Sequence, residues 1–245
     1  MNSSVNDPAR SGPPLIVPPG TTLRLSRNEV ESICTKAARG AGMSWGLAEE
    51  AGYAAGWLLA NGHDGASMLA RHLRNAQGKS WSDICPVVEA GAWLALSNNQ
   101  TLCPIALGAT LSDHFCVDDT LFDGAGLRVG EVSSPALVLP FLAMAVAARQ
   151  QGISVRLHDD VLRMDVSGTV TGNLSTLLQA EQATLIIALD ARPAIEGAAQ
   201  PSSAAEPAPV AADALAFLHE LSLRTTVPAS AASRANAGAA GGDND

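Results

Sequence analysis

Gly62-His63-Asp64-Gly65 sets an imidazole beside a carboxylate, the pairing that moves protons when the carboxylate fixes the histidine's tautomer. The same four residues also suit a bare corner between helices, with Gly ending one helix and Asp capping the next. A second group lies near the C-terminus. Arg224 and Arg234 bracket a hydroxyl-rich stretch that includes Ser230 and Ser233. Guanidinium groups among hydroxyls and small residues supply fork-shaped donors for a carboxylate or phosphate, although a chain end without a role has the same composition. A third pair, Arg39 and Trp45, flanks an expected helix start at Ser44, where outward-facing backbone N–H groups favour anions.

Other chemistries lack their residues. His114 beside Asp113 and His158 before Asp159-Asp160 are the remaining metal-ligand candidates, and no H-x-x-x-H or H-x-x-E-H spacing supports them. No metal is therefore expected, and no cofactor is indicated. His72 and His219 are expected on the polar edges of helices. Cys34, Cys85, Cys103 and Cys116 are widely spaced in apolar settings, which reads as buried, reduced thiols and fits the cytoplasm. Glu49 and Glu50 sit where carboxylates complement a helix dipole. The chain contains no G-x-x-x-x-G-K phosphate loop.

Charge narrows the partners. Fifteen Lys+Arg against 24 Asp+Glu give a formal net charge of -9 over 245 residues. Nucleic acids and anionic membranes reward basic patches, so neither is expected. No apolar run reaches the length needed to span a bilayer, and no signal-peptide pattern opens the chain. Hydrophobic residues make up 47%, enough for a sizeable core.

These residues need elements to position them. Residues 1–22 read as a disordered leader. Ser26-Arg27-Asn28-Glu29 forms a capping box before a first helix that Gly40 and Gly42 stop. A second helix starts at Ser44 and carries enough small residues to predict close packing; a third starts at Asp64. These make a helical unit over 23–79. An α+β core is expected over 80–191, with a helix over 82–97, a strand or helix over 102–109, and turns over 118–130. An apolar helix then runs from Ser134-Pro135 to Gln151, stopped by Gly152, with Pro140 delaying its start or kinking it. A hairpin follows over 153–166 with its turn at Asp159-Asp160, then a short helix capped by Asn173, then a fully buried strand over 183–189. Residues 192–210 read as a linker or surface loop, 211–224 as a last amphipathic helix, and 225–245 as a Gly/Ala-rich tail. The fold class is α+β, a helical N-terminal unit followed by a mixed domain with a small sheet.

Two stretches carry a resemblance. The block from Ala37 through Arg39-Gly40-Ala41-Gly42-Met43-Ser44-Trp45 to Gly52, and the tail from Arg224 to Arg234, together resemble a bacterial family known only as a domain of unknown function. That likeness extends over nearly the whole chain after residue 22 and implies no activity. Residues 23–75 also resemble the start of the malate, lactate and sulfolactate dehydrogenase family, whose Gly-His-Asp-Ser-His-Gly-type turn carries a catalytic histidine at its fifth position. Ala66 stands in that place here. The second likeness implies an NAD(P)-linked oxidoreductase on hydroxy or oxo acids, with His63 as the proton-transfer group.

The expectation is a cytoplasmic protein that binds a small acidic metabolite. Arg39, Trp45, Arg224, Ser230, Ser233 and Arg234 would hold it in a cleft between the helical unit and the sheet, under the C-terminal segment. His63 and Asp64 are the pair for any proton transfer. The oxidoreductase reading stands beside it, as does a non-catalytic subunit, with a homo-oligomer or partner subunit suggested by the apolar helix faces.

Overall fold

The computed structural model describes residues 18, 20–97, 100–117, 122, 125–190 and 206–225, and the side chains of residues 116 and 117 are outside that description. Most of the expected leader and of the expected Gly/Ala-rich tail therefore lies outside the described residues. A short strand, β1 (Thr22–Leu23), leads into α1 (Arg27–Gly40). The capping box forms: Ser26 Oγ accepts from the Glu29 N–H at 3.3 Å, and the Glu29 carboxylate accepts from the Ser26 N–H at 2.8 Å. Ser44 caps α2 (Trp45–Ala60) and Asp64 caps α3 (Gly65–Asn75). All three helices start where the sequence places them.

The small residues of α2 set the distance to α1. A Cβ on Gly52 would lie 2.7 Å from the Glu31 carbonyl oxygen and closer still to Thr35 Oγ1, and one on Gly56 would lie 2.7 Å from Glu31 Oε1. The α1 backbone and side chains thus occupy the space two side chains would fill, and that density stabilises the pair through many short contacts.

The span 82–97 is not a helix. A 3-10 turn (Ser82–Ile84) precedes two antiparallel strands, β2 (Pro86–Val87) and β3 (Ala92–Ala95). In β3 Trp93 is buried and Leu94 exposed, a two-residue alternation that a helix would not give. The ambiguous apolar run resolves as α4 (Pro104–Val117). The supposed turn region ends in β4 (Leu127–Ser133), whose partners on both sides complete a ladder invisible locally.

Pro140 delays the next helix rather than kinking it. A 3-10 turn (Pro135–Val138) comes first, and α5 (Leu139–Arg149) places Pro140 in its first turn. Gln150, at φ 55°, ends α5 in the left-handed conformation, two residues before the stop expected at Gly152. β5 (Ile153–Leu157) and β6 (Asp160–Met164) form the hairpin, but its turn is His158-Asp159, with His158 at φ 51°. β7 (Val170–Thr171), α6 (Leu174–Gln179) and β8 (Gln182–Leu189) follow. β8 is not buried throughout: Ala183, Leu185 and Ile187 face the core while Thr184 is exposed.

The sheet has seven strands in the order β2-β3-β4-β8-β5-β6-β7, with β3 and β4 parallel and the other pairs antiparallel. It is larger than the hairpin and single strand expected, and the fold is α+β. Its inner face, including Leu127, Ile187, Val155 and Met164, joins the helices in one core, while Arg128 and Arg156 on the outer face are exposed. Of the span 192–210 read as a linker, residues 192–205 lie outside the described residues. β9 (Val210–Ala211) pairs with β1, and α7 (Ala212–Leu223) packs against α1 and α3.

His72 contradicts its expected polar edge. It is 2% exposed, and its ring meets Trp81 edge-on at 6.1 Å. Cys34 and Cys103 are buried as expected, Cys85 is half-buried, and the Cys116 side chain lies outside the described residues. Among the described residues no helix is long and apolar enough to cross a membrane.

Candidate functional site

The short connection from α1 to α2 builds one wall of a groove. Gly42 takes φ 98°, letting the chain reverse between the helices, and Met43 is buried beneath it. The Gly42 N–H donates to the Arg39 carbonyl at 2.9 Å and the Met43 N–H to the Ala38 carbonyl at 3.1 Å, which closes the C-terminus of α1. The Arg39 side chain folds back across this turn. Its Nη1 donates to the Met43 carbonyl, and its guanidinium lies over the Trp45 ring, 4.6 Å from the centroid.

Gly40 fixes the opposite wall. A Cβ there would overlap the Leu221 carbonyl oxygen and sit 2.7 Å from the Leu221 carbonyl carbon. That close approach seats the end of α7 against the end of α1 and carries Arg224 to the same place. The Arg224 N–H donates to the Leu221 carbonyl at 3.0 Å, and its guanidinium stands 3.6 Å from the exposed Glu220 carboxylate.

Between these walls lies a groove of about 730 Å³, floored by α1 and lined in part by Glu31, Thr35, Lys36, Arg39, Trp45 and Arg224. Three of the sequence-predicted residues therefore meet. They do so between α1, the first residue of α2 and the end of α7, not in a cleft between helices and sheet. Ser230, Ser233 and Arg234 lie outside the described residues. Lys36, Thr35 and Glu31 were missed, because a polar stripe opposite Val30, Cys34 and Ala37 has the pattern of an ordinary solvated face. Among the described residues the lining carries three cationic side chains against one carboxylate, and Glu31 is itself bridged to Arg27 at 2.6 Å.

His63 and Asp64 do not line this groove. Asp64 is occupied by structure: Oδ1 accepts from the Ser67 N–H at 2.9 Å, and Oδ2 accepts from Ser67 Oγ at 2.5 Å and the Ala211 N–H at 3.0 Å. Half-burial pushes the His63 imidazole below its ordinary value, because the charged ring loses solvation. Burial drives the Cys34 thiol far upward, with nearby Asp64 adding to it, and raises Cys103 to about 12; neither is a nucleophile at neutral pH. Among the described residues no three His, Cys, Asp or Glu side chains gather into a metal-binding group.

Residues 25–99 match the family described as Protein of unknown function (DUF3726). The chain resembles that family there. The match takes in the Arg39–Trp45 turn and stops before the tail from Arg224, so it is shorter than the sequence likeness suggested. The dehydrogenase likeness over 23–75 finds no counterpart, since no curated protein and no solved structure matches the chain.

Proposed function

We propose that the protein binds a small organic acid in the groove along α1, held by Lys36, Arg39 and Arg224, with the segment after Thr225 closing over it. The supporting observation is local charge. In a chain of net charge -9, this one groove gathers three cationic side chains, while the carboxylate in its described lining is held by Arg27. A small anion responds to such local donors, whereas an extended polyanion meets the acidic surface beyond. Arg39 is also pre-positioned, since its contacts with Met43 and Trp45 hold the guanidinium before any ligand arrives.

A nicotinamide-linked reaction would need a proton-transfer group beside the ligand. Neither His63 nor Asp64 lines the groove, so acid binding there does not extend to that chemistry.

The test is a thermal-shift screen of organic acids on the full chain and on a chain ending at Thr225. An acid at 100 times its dissociation constant stabilises by about 2.7 kcal/mol, a rise of roughly 5–10 °C for a chain of this size. The full chain should show the larger rise. Equal rises remove the covering segment from the proposal, and no rise with any acid removes the proposal.

A further inference from the structure

Of the four tryptophans, Trp93 is buried and Trp57 and Trp81 pack against the core, whereas Trp45 belongs to neither group and is 65% exposed. An indole left this open contributes little to folding and keeps most of its apolar surface in water. It nevertheless lines the same groove as Lys36 and Arg224, and the Arg39 guanidinium already covers part of it. We propose that the acid bound in this groove carries a planar aromatic ring, which stacks on Trp45 while its acid groups meet Lys36, Arg39 and Arg224. This rests on the acid-binding reading above and adds the ligand's shape.

The chemistry favours a flat ring over an aliphatic chain. A bare indole repels electron-rich rings through its negative face, and a guanidinium on that ring offsets the repulsion. An anionic aromatic acid can therefore stack where an uncharged platform would disfavour it. The groove thus offers both elements of recognition: Trp45 supplies area, the Arg39 guanidinium over it supplies charge, and Lys36 and Arg224 line the same groove.

Succinate and phthalate make a matched pair of probes, since both carry two carboxylates and only phthalate is aromatic. Their dissociation constants are measured by calorimetry on the natural full chain, Trp45→Leu, Trp45→Phe and the double variant Lys36→Gln/Arg39→Gln. Phthalate should bind the natural chain about five- to tenfold tighter than succinate. That ratio should persist in Trp45→Phe, which keeps a ring, and fall toward one in Trp45→Leu. Equal affinities in the natural chain, or an unchanged ratio in Trp45→Leu, overturn the stacking proposal and leave acid binding intact. If neither acid binds, or if the double variant binds both as well as the natural chain does, the acid-binding reading itself fails.

Discussion

The carboxylate of Asp64 accepts the backbone N–H of Ala211, 147 residues further along the chain, at 3.0 Å, while also capping α3 through Ser67. The corner that looked like a proton-transfer pair is a fastening between the helical unit and the β9 strand that leads into α7. Asp64→Ala removes a cap and leaves a partly buried donor unpaired, so it should lower unfolding stability by about 2–3 kcal/mol. Asp64→Asn keeps one oxygen to cap α3 but sets an amide NH2 against the Ala211 N–H, so it should lose about 1–2 kcal/mol, less than Asp64→Ala. Urea denaturation of both variants measures this. Equal losses would show that the helix cap contributes nothing beyond the bond to Ala211.

His72 predicts an acid-sensitive stability. Among the described residues neither buried ring nitrogen has a hydrogen-bond partner, and burial, with nearby Lys79, depresses the imidazole to about 3 from 6.5. The folded protein thus keeps His72 neutral over a range in which the unfolded chain protonates it, and stability falls as the pH drops below about 6.5. The loss from pH 7 to pH 5 should reach about 2 kcal/mol for this group. His72→Leu should flatten that part of the stability profile. Parallel profiles for the two proteins would refute the assignment.

Two glycines give opposite expectations for the same substitution. Gly40→Ala drives a methyl group into the Leu221 carbonyl, and relief requires α1 and α7 to separate. It should destabilise by about 1–3 kcal/mol and displace Arg224 from the groove, weakening acid binding as well. Gly46 lies inside α2, and a methyl group added there would meet no described atom within 4 Å. Gly46 is only the second residue of α2, so Gly46→Ala should stabilise by less than an interior replacement, at most about 0.5 kcal/mol. Thermal denaturation with and without ligand separates the two effects.

The first three helices were legible because their signals are local. Ser26, Ser44 and Asp64 each announce a helix by a side chain that bonds within three residues. The strands were less so. Residues 86–95 pair across a turn and then join β4, more than thirty residues away, and no local pattern records that partner. Arg39, Trp45 and Arg224 could be singled out by chemistry alone. Their meeting place could not, because it depends on how closely Gly40 lets α7 approach. His72 was misplaced for a related reason: its neighbour Trp81 comes from a segment that reads as the entry to a helix and instead folds back over α3.

Arg39→Lys tests the groove most directly, because lysine keeps the charge and loses the geometry. The guanidinium donates to the Met43 carbonyl and lies over Trp45, and its other N–H groups remain to face a ligand. An ammonium group is a compact point charge without a planar face, so it cannot stack on the indole and present a fork at once. Acid affinity should therefore fall about tenfold in Arg39→Lys, within the range for losing a charge-assisted hydrogen bond. Lys36→Gln removes a charge without that geometry and should produce a smaller loss that fades as salt is raised, since exposed charges are screened. Calorimetric titration at low and high ionic strength distinguishes the two. If Arg39→Lys binds as the natural chain does and only Lys36→Gln weakens binding, the groove attracts anions by charge alone, and the positioned guanidinium has no part in recognition.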